Sequence, residues 1–189
     1  LTRTRLVCLE NTTNLGGGHC YSSENLARVS QWAWANGLKM HLDGARIFMT
    51  AAWSGVPVKE YAAHFDTVYI SLYKYLGASA GAILCGDEEV INKMPHLTKI
   101  HGGNQFGNWL NAAMALHRLE GLEERLQQAI QRSAALFTSL GALGIKVSPL
   151  DNGTNIYPVK FPEGTDGAAV QKALRDRFIL IPRPNATGE

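Results

Sequence analysis

The feature that most constrains this chain is an alternation of short apolar runs with stretches of helical spacing, joined by polar or glycine-rich links. Arg5-Leu-Val-Cys-Leu-Glu10 is followed by Asn-Thr-Thr-Asn and Gly16-Gly17-Gly18, and a helix is expected over residues 22 to 36, opened by Ser22-Ser23-Glu24-Asn25 and closed by Asn36-Gly37. Leu38-Lys-Met-His-Leu42 then reads as a strand turning at Asp43-Gly44, with helical stretches at 45 to 53 and 58 to 64. Thr67-Val-Tyr-Ile-Ser-Leu72 is the clearest strand, and Ala82-Ile-Leu-Cys85 is another. Strands alternating with helices through short links predict an α/β fold: a mostly parallel sheet with helices on both faces.

Ligands in such sheets gather at the carboxyl ends of the strands, and three of those ends hold Glu10, Asp43 and Lys74. From about 108 to 140 the pattern is wholly helical, interrupted at Gly121. Gly141-Ala-Leu-Gly144 breaks it. Strands are then expected over 145 to 148 and 155 to 161, a helix over 166 to 177, and a further strand over 178 to 181. The chain ends in Pro-Asn-Ala-Thr-Gly-Glu, where another strand is expected. A boundary near Gly141 divides a unit over residues 1–141 from a smaller one over 142–189, which is small to stand alone.

Composition narrows the function. The 18 Lys and Arg against 16 Asp and Glu give a net charge of +2, without the basic excess of a nucleic-acid binder. Charged residues are 18% of the 189, below the roughly 25% usual in soluble domains, so part of the surface is expected to be covered by a partner subunit. No apolar run is long enough for a membrane helix, and Leu1-Thr-Arg-Thr-Arg5 opens no signal peptide. Cys8, Cys20 and Cys85 are an odd, widely spaced set that suits reduced thiols in a cytoplasm, with Cys8 and Cys85 expected in the core. Trp32, Trp34, Trp53 and Trp109 are expected to pack, and no zinc-like spacing is present.

Lys74 is flanked by Tyr73 and Tyr75 and followed by Gly77-Ala-Ser-Ala-Gly81. An ammonium there is costly unless used, and desolvation favours the neutral amine that attacks a carbonyl to give a Schiff base. A lysine snorkelling from a strand end is the other reading. Asp43 precedes Arg46 in His-Leu-Asp-Gly-Ala-Arg. A buried carboxylate needs a cation, which a pyridinium nitrogen could supply; alternatively Asp43 caps the next helix and pairs with Arg46.

Three ordered segments, Arg5-Leu-Val-Cys-Leu-Glu-Asn-Thr with Gly16 to Gly18, His41-Leu-Asp-Gly-Ala-Arg46 and Ser71-Leu-Tyr-Lys-Tyr-Leu-Gly-Ala78, resemble the L-threonine aldolase and aromatic amino acid β-eliminating lyase family. That family is pyridoxal 5'-phosphate-dependent, with the aspartate aminotransferase type of fold (fold type I). The resemblance implies that Lys74 forms the Schiff base with the cofactor, that Asp43 faces the cofactor's ring nitrogen, and that Arg46 holds the substrate carboxylate. It implies a carbon–carbon lyase acting on threonine or allo-threonine, with glycine and an aldehyde as products. The alternatives are a β-eliminating lyase or a non-catalytic relative. A homo-dimer or homo-tetramer in the cytoplasm is expected, with no nucleic acid or membrane partner. The chain departs from the family pattern where Thr13 stands for a histidine, Phe106 for an arginine, and Tyr73 and Tyr75 for a serine and a glycine around the lysine. On this resemblance the chain is expected to be the central and later part of a longer enzyme, lacking the start of its large domain.

Overall fold

The computed structural model describes residues 3–182. In chain order the elements are β1 (Leu6–Glu10), α1 (Ser23–Ala35), β2 (Lys39–Asp43), α2 (Ile47–Ser54), α3 (Val58–Ala62), β3 (Thr67–Ser71), β4 (Ala82–Gly86), α4 (Glu88–Ile91), α5 (Met94–Ile100), α6 (Trp109–Leu119), α7 (Leu122–Ala142), β5 (Lys146–Val147), β6 (Val159–Lys160) and α8 (Gly167–Arg175). Strands β1 to β4 form one sheet in that spatial order. β1, β2 and β3 are parallel because a helix carries the chain back between them; β4 runs antiparallel to β3. The register sets Glu10 opposite Asp43 and Asp43 opposite Tyr69, so the carboxyl ends of the first three strands form one rim.

Alternation along each strand decides what the sheet buries. Met40, Leu42 and Val68 point to one face and are buried under Leu26 and Ala33 of α1, Tyr61 of α3, and Phe65. Ser22 caps α1, its hydroxyl accepting the Asn25 N–H at 3.2 Å. On the opposite face Leu6 and Cys8 are exposed and His41 and Thr67 half-buried, with the His41 Nδ1 and Thr67 hydroxyl 2.8 Å apart. Cys8 and Cys85 are therefore not core thiols as expected: Cys8 lies on the face away from α1, and Cys85 lies on the edge strand β4. Three tryptophans also depart from expectation. The buried stripe of α1 is Leu26, Ser30 and Ala33, which leaves Trp32 and Trp34 exposed, and Trp109 opens α6 at 72% exposure.

A second apolar cluster joins Met49 of α2, Leu72, Leu76 and Ala78 of the link after β3, Ala115 of α6, and Leu122 and Leu126 of α7. Gly121, at φ +61°, breaks the helical stretch between α6 and α7 in a left-handed conformation that favours glycine. Beyond α7 the expected strands shrink to the two-residue pair of β5 and β6. Pro149 and Pro158 lack the N–H groups a longer ladder needs. Residues 178 to 181 form no strand: Phe178 has φ +62° and, with Leu180, is exposed. The final Pro-Asn-Ala-Thr-Gly-Glu stretch lies outside the described residues. The turn before β6 is tied to the loop after β1: Gly18 O accepts from the Thr154 N–H at 3.0 Å and its hydroxyl at 2.7 Å, and Cys20 N–H donates to Asn152 O at 2.8 Å.

Candidate active site

The rim of the sheet is built from backbone bonds that cross between strand ends. Asn11 N–H donates to Asp43 O at 3.1 Å, and Gly44 N–H donates to Tyr69 O at 2.9 Å. A Cβ on Gly44 would lie 2.8 Å from that same carbonyl oxygen, so a side chain there would force the turn off β3. Ser71, buried, closes the turn by donating its hydroxyl to Ala45 O at 3.1 Å. Asp43 is thereby held half-buried at the end of β2, and its Oδ1 accepts the Ala45 N–H at 3.1 Å.

Arg46 follows as the first residue of the α2 boundary, its backbone carbonyl accepting Met49 N–H and Thr50 N–H. Its guanidinium, 15% exposed, does not pair with Asp43. Nη1 donates instead to Glu10 Oε1 at 3.2 Å, across to the end of β1. The alternative in which Asp43 pairs with Arg46 is thus not the observed geometry, while the turn bond from Ala45 is.

Lys74 lies three residues past β3 in the link whose Leu72 and Leu76 are both buried in the second cluster. That double anchorage fixes the loop between them. The lysine is half-buried, its Nζ 5.8 Å from the centre of the Tyr73 ring, and among the described residues it makes no salt bridge. The Tyr73 and Tyr69 hydroxyls are 3.3 Å apart. Burial, the bond to Tyr73, and the Tyr73 and Asp43 charges push the Tyr69 hydroxyl up to about 12. At neutral pH Tyr69 therefore keeps its proton. Tyr69 is the register partner of Asp43, and Tyr73, whose hydroxyl meets that of Tyr69, precedes Lys74 in the link.

The structure brings Asp43, Arg46 and Lys74 to one rim. It adds Glu10 as the partner of Arg46, and Tyr69, which the sequence reading missed. The signal for Tyr69 was there: it alternates with Ser71 on one face of the clearest strand. His101 and Phe106 lie in the exposed link before α6. Among the described residues no cluster of three His, Cys, Asp or Glu side chains could hold a metal, and no helix is long and apolar enough to cross a membrane.

The fold, a mostly parallel α/β sheet with Asp43, Arg46 and Lys74 at or just past its strand ends, is that of solved proteins of the threonine aldolase class, fold type I. The family model described as "Beta-eliminating lyase" matches residues 1–160, and the chain belongs to that family, which includes the L-threonine aldolases. It is 44% identical over 180 residues to the low specificity L-threonine aldolase of Saccharomyces cerevisiae, covering 94% of this chain and 46% of that protein. Against low-specificity L-threonine aldolase 1 of Arabidopsis thaliana it is 33% identical over 187 residues, covering 97% of this chain and 52% of the relative. The crystal structure of a Listeria monocytogenes protein assigned as an L-allo-threonine aldolase superposes with a TM-score of 0.78 at 25% identity, covering 93% of this chain and 50% of that one. The Leishmania major threonine aldolase shares the fold, with a TM-score of 0.71 at 21% identity over 97% of this chain and 53% of that one. The chain spans about half the length of the curated relatives it matches.

Proposed function

We propose that the full protein is a pyridoxal 5'-phosphate-dependent carbon–carbon lyase that cleaves small β-hydroxy-α-amino acids, threonine or allo-threonine, to glycine and an aldehyde. The observation that carries this reading is the placement of Asp43 and Arg46 at the carboxyl end of β2 and of Lys74 just past the carboxyl end of the neighbouring parallel strand β3, in a chain similar to proteins named L-threonine aldolases. The donor set suits the cofactor. Asp43 uses one carboxylate oxygen on the Ala45 N–H, which leaves the other for a protonated ring nitrogen. Lys74 is a half-buried amine with no carboxylate partner among the described residues, as an amine that bonds covalently to an aldehyde carbon should be.

When bound, the cofactor supplies an electron sink that stabilises negative charge on the substrate's α-carbon. Asp43 would hold the proton on its ring nitrogen. Lys74 would tether it through Nζ. The guanidinium donors that Arg46 does not give to Glu10 would take the substrate's α-carboxylate, for which a planar fork is suited. Tyr69, holding its proton, would keep an O–H able to donate. Residues 1–141 would be the later part of the cofactor domain and 142–189 part of a small domain. A cytoplasmic homo-dimer or homo-tetramer is proposed with them, supported by the apolar side chains exposed on and before α6: Phe106, Trp109, Leu110 and Leu116. Light scattering on the full protein tests that assembly.

The activity is tested on the full-length protein loaded with cofactor. It should show an absorbance band at about 410 to 430 nm that borohydride removes and that Lys74→Ala lacks, and it should release glycine and acetaldehyde from threonine. A keto acid and ammonia would replace the reading with β-elimination. The absence of both the band and the products would sink it.

A further inference from the structure

Arg46 cannot hold its working orientation unaided. Its backbone is fixed at the α2 boundary by the bonds its carbonyl accepts from Met49 and Thr50. Its side chain must then cross from the end of β2 toward β1, carrying a guanidinium with five donors and several rotatable bonds. Glu10 is what it meets: Oε1 accepts from Nη1 at 3.2 Å, with Arg46 15% and Glu10 34% exposed. The sheet register explains why the acid stands there. Glu10 is the register partner of Asp43, so it ends β1 beside the turn that leads from Asp43 to Arg46. The contact thus fixes which way the guanidinium fork faces.

We propose that Glu10 is the positioning residue for Arg46, holding one edge of the fork so that the other meets the α-carboxylate of an amino acid substrate. The inference rests on the reading of Arg46 as the carboxylate-binding residue. In this role Glu10 acts through Arg46, its one side-chain partner among the described residues. What it supplies is an acceptor, so a neutral acceptor of the same length should serve nearly as well, and a truncated side chain should not.

The test uses the full-length, cofactor-loaded protein and three variants, Glu10→Ala, Glu10→Gln and Arg46→Lys. Two dissociation constants are read by absorbance titration, one for glycine as the carboxylate probe and one for the cofactor, beside KM and kcat for threonine. Glu10→Ala should weaken glycine binding and raise KM about 10-fold, with kcat and cofactor affinity changed less than about threefold, the size expected for one charge-assisted hydrogen bond. Glu10→Gln should restore glycine binding to within about threefold. A merely structural role at the end of β1 would instead lower cofactor affinity and glycine affinity together, and that outcome would overturn the inference. So would an unchanged glycine affinity in Glu10→Ala when Arg46→Lys weakens it. An Arg46→Lys protein with unaltered glycine affinity would overturn the reading of Arg46 itself, and the inference with it.

Discussion

Asp43 shows how one side chain is committed to two tasks at a strand end. One oxygen closes the turn by accepting the Ala45 N–H, and its charge reaches Tyr69, its register partner on β3. Replacement by asparagine keeps the shape and the turn bond and removes the charge. In the loaded full-length protein Asp43→Asn should keep the coloured lysine adduct while kcat falls on the order of 100-fold, the scale of losing one electrostatic contact in a preorganised site. A second readout needs no turnover. The negative charge of Asp43 helps hold the Tyr69 hydroxyl high, behind burial and the Tyr73 contact, so the asparagine variant should ionise that tyrosine at lower pH in an ultraviolet titration. Unaltered turnover would remove the role assigned to Asp43.

The sheet is pinned at its opposite end by Asp66, between α3 and β3. Its Oδ2 accepts from Trp34 Nε1 at 3.0 Å and from Met40 N–H at 2.8 Å, and its Oδ1 from Lys39 Nζ at 2.6 Å, so one carboxylate joins α1, β2 and β3. Asp66→Ala should cost about 1 to 3 kcal/mol, since the buried Met40 N–H is left without its side-chain acceptor, and denaturant unfolding would measure it. An effect below about 0.5 kcal/mol would mean that water replaces the carboxylate fully. Elements of this kind show what could be read from sequence. Strands β1 to β3 and helix α1 were legible because short apolar and β-branched runs between polar links, and a serine cap, declare them. The short α4 and α5 were not, having too few residues to show a period. Strands after α7 were over-read because prolines at 149 and 158 carry apolar neighbours but no donors. At the site, Asp43 and Lys74 stood out as ionisable residues at the ends of apolar runs. The Glu10–Arg46 pair was hidden, because residues 36 positions apart meet only once the β1–β2 register exists.

Across the whole molecule these local contacts set how stability should respond to pH. His41 has its pKa lowered from 6.5, because burial disfavours the imidazolium more than the nearby Asp43 charge favours it. The unfolded chain takes up that proton first, so stability from this group is full above about pH 6.5 and is lost as pH falls toward the lower folded value. Asp66 acts in a separate window. Burial alone would raise it, but the bonds from Lys39, Met40 N–H and Trp34 outweigh burial and hold the carboxyl below its usual 3.8. Its contribution is therefore present above about pH 3.8 and is lost below it. Thermal melts of the full-length protein should show the midpoint falling in two steps, one beginning near pH 6.5 and one below pH 4. His41→Gln should flatten the first step and leave the second, while Asp66→Asn should do the reverse. If His41→Gln melts with the same pH slope as the unaltered protein between pH 6.5 and 5, the imidazole is not what makes the folded sheet sensitive to mild acid.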